Sequence, residues 1–290
     1  MNLFSLRFLF GAVVASFLTL SAAAQMPNGM IKAARVEGVV TKTTATGEVE
    51  IKNGDLLVTS DVIQTGEKGS VVLVFQNGST VRIAPGSKLR IDKFLMDPLA
   101  DPASVANATE EASPSQTELN LEFGEIVGNV KKLKGQSNYT IKTPVGAAGI
   151  RGTTFRIVFR PTGDGRAFNF QVTTAEGLVV FEGTSAGSGA PVEIGADQEI
   201  VVTVVVENGN AQITGPVQTQ QISAEAQQQI QQVVEQVTQA VQQTDFTPSG
   251  NTPQNPPTPP GPPETPAGPD PDPVPPVQTP PQLTGGAGKG

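Results

Sequence analysis

The sequence predicts an all-β fold, a sandwich or roll of many short strands, followed by one amphipathic helix and a disordered proline-rich tail. Three observations carry that reading. Between Ala33 and Val206, short β-branched and apolar runs alternate with glycine-rich turns at even spacing, as stacked strands do. Between Ile222 and Val241 the apolar period changes to steps of three and four. The 25 prolines and 31 glycines among 290 residues are unevenly placed, and the prolines crowd the C-terminal end.

The elements follow in order. Residues 1–24 have the layout of a cleaved secretory signal: Arg7, an apolar run from Phe8 to Leu20, then Ala22-Ala23-Ala24 ahead of Gln25. A spanning helix needs about 20 apolar residues and this run is shorter, so cleavage is preferred to an uncleaved membrane anchor. Residues 33–206 form the β domain. Ala33–Lys52 reads as a hairpin, and Leu56–Ile63 and Ser70–Gln76 as strands. Asn77-Gly78 predicts a type I′ turn with positive φ at both positions. Val81 and Ile83 continue, Pro85-Gly86 interrupts, and Leu89 and Ile91 share one face. Residues 97–117, rich in proline, alanine and acids, read as a surface loop insertion. Period two resumes at Leu119, Leu121 and Phe123 and stops at Gly124; further strands flank Thr162–Gly165 and run on to Val206.

Residues 217–244 hold the glutamine-rich helix, with Ile222, Ala226, Ile230, Val233, Val237 and Val241 in one stripe, Ser223 as cap and Glu225 in the first turn. A dimerising coil and a partner helix fit this stripe, but packing in cis on the β domain is the default. Residues 247–290 are proline-rich and cannot bury enough apolar surface to fold.

Composition excludes several chemistries. There is no cysteine and no histidine, which removes disulfides, thiol nucleophiles, histidine-based triads and ordinary zinc sites. The net charge is −8, and loss of the signal leaves 18 basic against 27 acidic residues, or −9; nucleic acid needs a basic stripe and is not an expected partner. No carboxylate sits in a setting that singles it out for acid–base work, and Asp270 and Asp272 between prolines cannot close round a cation. The single tyrosine, Tyr139, is expected to pack at a strand start. The reading is therefore a non-enzyme without cofactor or metal.

One stretch stands out: IKTPVGAAGIRGTTFRIVF, from Ile141 to Phe159. Thr143 and Pro144 precede small residues, and Gly149, Arg151, Gly152 and Thr153 place one cation between two strand-like runs, predicting a strand, a tight crossing and a second strand. Enclosed by small neighbours, Arg151 is expected to be buried and pinned by backbone carbonyls or a carboxylate, with Asp55, Asp61 and Glu176 equally eligible. The alternative role is a partner-contacting cation.

This stretch resembles the "TP…RGT" signature of the FecR domain family, and Gly54–Ile91 resembles that family's first half; together the resemblance covers Ala33 to Val206. It implies an extracytoplasmic signalling context. Family members most often resemble regulators that couple outer-membrane transport to a sigma factor, with a cytoplasmic anti-sigma region and a membrane helix ahead of the periplasmic domain. This sequence has no such region before its signal-like segment. The expectation is a non-catalytic periplasmic or secreted interaction or scaffold module with a protein partner in the cell envelope, touching the membrane only if the signal segment stays uncleaved. The alternatives are an inner-membrane-anchored FecR-type regulator, or an envelope structural protein whose proline-rich tail is a spacer.

Overall fold

The computed structural model describes residues 26–246 except 45, 98, 100–107, 164–166, 184–189, 208 and 245; the expected signal segment and tail lie outside the described residues. The chain is all-β with one helix among the described residues. Among the described residues sixteen strands join one continuous sheet. They are β1 (Ile31–Glu37), β2 (Val40–Thr44), β3 (Gly47–Glu50), β4 (Leu56–Leu57), β5 (Val62–Thr65), β6 (Ser70–Phe75), β7 (Thr80–Ile83) and β8 (Lys88–Met96), then β9 (Ser115–Asn129), β10 (Asn138–Thr143), β11 (Gly146–Thr162), β12 (Ala167–Gly183), β13 (Val192–Ile194), β14 (Gln198–Glu207), β15 (Asn210–Thr214) and β16 (Thr219–Gln221).

Three strands are long, not short: β9 has 15 residues, β11 and β12 have 17 each. Length lets one strand serve two neighbourhoods. The first half of β9 pairs with β8 and, in parallel, with β10; its second half pairs with β7 and β11. The strand changes neighbours at Gly124, whose φ is +105 and where a Cβ would stand 2.2 Å from the Ser87 hydroxyl. Only glycine combines that backbone with that approach, so the position expected to end the strand bends it instead.

Alternate residues of these strands fill one core. Ile31, Ala33, Val71, Leu73, Phe75, Leu119, Leu121, Phe155, Phe170 and Val172 belong to it, and Phe75 meets Phe94 edge-on at 5.1 Å between ring centres. Each of these side chains larger than alanine contributes roughly 1.5–3 kcal/mol by leaving water. Tyr139 is buried near the start of β10, with its ring 6.4 Å from that of Phe75.

The outer face of β6 is buried as well. Helix α1 (Ala224–Gln242) lies across it, packing Val233, Val237, Ala240 and Val241, with Phe246 beyond the helix end, against Val72, Val74, Met30 and Ala34. Ser223 caps it by accepting the Ala226 N–H at 3.1 Å, and Ile230 is buried from the same stripe. The segment before it is extended, because Thr219–Gln221 pair with β14.

Two local departures are informative. The Asn77-Gly78 connection has positive φ only at Gly78, so it is not type I′. The Asn77 side chain is buried, accepting the Ser79 N–H at 3.0 Å and donating to the Ser115 hydroxyl at 3.1 Å. The segment 97–117 also ends differently. Ser115 and Thr117 are buried inside β9, and Glu111 is 1 % exposed. Polar residues on the inward face disguised the alternation there.

Candidate interaction site

The segment from Thr143 to Thr153 is a hairpin turn followed by a bulge. Thr143 closes β10 and Gly146 opens β11, leaving Pro144 and Val145 as a two-residue turn. The Thr143 hydroxyl donates to the Gly146 carbonyl at 2.9 Å. Proline suits a turn position where no N–H is needed. The crossing expected nearer Arg151 is therefore at Pro144-Val145, and β11 runs on through Thr153.

Arg151 pairs with Leu178 and Thr154 with Glu176, so Gly152 and Thr153 together face Gly177 alone. Gly152 has φ +61, and a Cβ there would lie 3.0 Å from the Lys132 backbone. This is a bulge that needs glycine in the left-handed region. Buried Thr153 holds it: its hydroxyl donates to the Leu178 carbonyl at 3.0 Å, and its carbonyl accepts the Val130 N–H at 3.0 Å. Thr143, Pro144, Gly152 and Thr153 thus set the backbone. Gly149 does not, because a Cβ there would find only the Val180 carbonyl oxygen, at an ordinary 3.7 Å.

Arg151 is exposed, contrary to the expectation of burial, and its guanidinium has no hydrogen bond or ion pair among the described residues. Alternation explains this. Ile150 points into the core, so Gly149 and Arg151 face outward before the bulge begins. None of the three eligible carboxylates meets it: Asp61 pairs with Lys42 at 3.4 Å, Asp55 accepts the Lys52 N–H at 2.8 Å, and Glu176 is exposed.

Arg156 has the pinned role instead. Its Nε lies 2.7 Å from Glu125 and its Nη1 donates to Gln171 at 3.1 Å. Arg160 donates to the Pro85 carbonyl at 2.8 Å and stands 3.8 Å from the same Glu125. Gln171 passes the network to buried Glu199 at 2.5 Å, which also accepts from Thr173 and Gln220. The network ties β9, β11, β12, β14 and β16 on the outer face. Its members are brought together only by strand register, which no spacing in the sequence reveals.

Buried Glu111 fixes the other neighbour of the motif. Its carboxylate accepts the Ser115 hydroxyl at 2.6 Å, the Ser137 hydroxyl, and the Lys134 N–H at 2.7 Å. Three donors compensate the desolvation of this buried acid. They also pin residues 130–137, so Lys132 stays against Gly152. The Lys132–Glu110 pair at 2.8 Å raises the lysine pKa and lowers that of the acid, and burial pushes Lys131 below the usual lysine range.

The motif borders two concavities. Arg151, Gly149, Asn138, Leu178 and Val180 line a depression of about 130 Å³. Pro144 lines a groove of about 950 Å³ with Phe123, Phe159, Phe168 and Val206, in which Phe159 and Phe168 stack at 4.8 Å. A cleft of about 500 Å³ beneath α1 is edged by Glu176, Asp197 and Glu235, yet no three potential metal ligands converge among the described residues.

Fold and motif together define an all-β domain with a helical strap, whose signature residues shape its surface. Residues 61–165 match the model of the FecR protein family, a span that includes the Thr143–Thr153 motif. No curated protein matches the chain. Two crystal structures of a candidate anti-sigma factor from Parabacteroides distasonis, at 1.65 and 2.50 Å resolution, align at 13 % identity and a TM-score of 0.36, covering 53 % of this chain and 59 % of that one. This chain thus spans about three fifths of that protein's length.

Proposed function

We propose that this chain is a non-catalytic protein-interaction module of the cell envelope, periplasmic or secreted, acting in envelope signalling through its FecR domain. The observation that carries the reading is the family match over residues 61–165 together with the exposed Arg151 at the centre of its signature. A cation that the fold does not use is available to a partner. The polar side chains that could have done chemistry support the non-catalytic part, because Glu111, Glu125 and Glu199 are each held by several donors that serve the architecture. The chain also lacks histidine and cysteine.

Among the described residues no helix is long and apolar enough to cross a membrane. The periplasmic or secreted placement rests on the signal-like layout of residues 1–24 and on the family match. The test is photo-crosslinking in the native host from positions spread over the exposed surface of the β domain. Capture of one defined envelope protein supports the reading. A chain that crosslinks to nothing from any position, or that turns over a small-molecule substrate, overturns it.

A further inference from the structure

The depression at Arg151 has features that the fold alone does not require. Its base is rigid: Gly152, Thr153 and the Leu178 and Val130 backbone groups fix the strand beneath the arginine. Its head is free, five donors in a planar fork without an acceptor among the described residues. Its floor is Gly149, where glycine is not demanded by φ or by crowding, and where any side chain would fill the hollow. Leu178 and Val180, the cross-strand partners of Arg151 and Gly149, supply apolar walls, and Asn138 from β10 adds a polar one. Lys132, touching Gly152, is paired with Glu110 at 2.8 Å and leaves the charge of the hollow to Arg151. Glu193, the β13 partner of Val180, shares this face one strand further out and forms no ion pair with Arg151. Arg151 is thus the one cation of the hollow that no carboxylate among the described residues neutralises.

A hollow of about 130 Å³ takes one side chain, not a folded domain. We propose that it docks an acidic segment of a partner protein, with one carboxylate bidentate on the Arg151 guanidinium and a neighbouring apolar side chain against Leu178 and Val180. Charge complementarity selects the carboxylate, and the planar fork matches it in two parallel hydrogen bonds. The proposal deepens the reading of the chain as an interaction module and rests on it.

The probe is a fluorescein-labelled peptide, acetyl-Glu-Glu-Leu-Glu-Glu-amide, titrated against the full chain at low ionic strength, with its all-Gln counterpart as control. The expected result is saturable binding that the Gln peptide lacks and that weakens as salt rises. Arg151→Ala weakens it about tenfold or more, the fold-change of a lost charge-assisted pair. Arg151→Lys restores part, and Gly149→Val weakens binding while the melting temperature of every variant stays at the wild-type value. Binding unaffected by both Arg151→Ala and Gly149→Val overturns the proposal, as does inorganic phosphate displacing the peptide at equal concentration, which marks a general anion site. Crosslinking in the host separates this failure from that of the wider reading. If Arg151→Glu still captures the wild-type partner, the site is wrong and the module stands; if the wild-type chain captures nothing, the module itself fails.

Discussion

Two arginines five positions apart have opposite roles, and their environments account for it. Arg151 ends an outward-facing run and touches no carboxylate among the described residues, whereas Arg156 holds Glu125 and Gln171 on a face crossed by neighbouring strands. Arg151→Ala is therefore expected to change stability by about 0.5 kcal/mol or less, the range of surface substitutions. Arg156→Ala leaves Glu125, which is 22 % exposed, with Arg160 at 3.8 Å as its remaining cation and Gln171 without its donor. It is expected to cost about 1–3 kcal/mol, below the figure for full burial because water and Arg160 still reach the carboxylate. Denaturant melts of the two variants side by side check the ranking, and equal midpoints would refute it. Gly152→Ala places a side chain on a left-handed backbone against Lys132 and is expected to cost about 1–2 kcal/mol. Lys131 gives a pH signature. Burial lowers its folded pKa below the unfolded value, so between the two values the unfolded state binds the extra proton and stability rises with pH. Replacing it with Met is expected to raise stability below that window and to flatten the alkaline rise, measured as the melting midpoint from neutral pH to pH ~10.5.

At the scale of elements, legibility followed periodicity. The stripe of α1 could be read because steps of three and four survive any tertiary context, and its cap was visible as Ser223. The β patterning was readable for the same reason at Leu119 and Leu121. It failed at Ser115 and Thr117, where small polar residues take inward positions and are satisfied locally or left without a partner. It failed differently at Gly124 and at Asn77. Glycine there bends a strand that changes neighbours, and asparagine there accepts from Ser79 in its own turn while donating to Ser115, 38 residues away. The signature was legible as a motif, and its turn and bulge follow from Pro144 and Gly152. The exposure of Arg151 depends on which neighbour is in phase with the core, and glycines on either side conceal that phase. The helix makes the clearest prediction at this scale. It covers Val72 and Val74 with Val237, Ala240, Val241 and Phe246. Ending the chain at Gln221 bares that face, so it is expected to lower the melting temperature by several degrees and to increase binding of an apolar dye, at roughly 25 cal/mol per Å² re-exposed. An unchanged melt would mean that the strap adds nothing to the β domain.

At the scale of the molecule, one contiguous core runs from Ile31 through Val204, drawing on strands from both ends of the β region. The long strands make that continuity: β9 alone bonds to β7, β8, β10 and β11, so no half of the region can lose its partner strands independently. The expected consequence is a single cooperative transition, with slow folding because the pairings join distant segments. The compact unit ends at Thr247, and residues 248–290 lie outside the described residues. A chain ended at Thr247 keeps Phe246 in its cluster and retains every core contact, which predicts the same melting midpoint as the full chain, within about a degree. The comparison with the chain ended at Gln221 makes this a strict test, because both truncations remove the proline-rich segment and only one removes the helix. If the two shorter chains melt alike and both below the full chain, the stability resides beyond Thr247 and the helix is not the strap. If the chain ended at Thr247 matches the full chain while the shorter one falls, α1 is the last element that the fold requires, and residues 248–290 are free to serve a purpose outside the core.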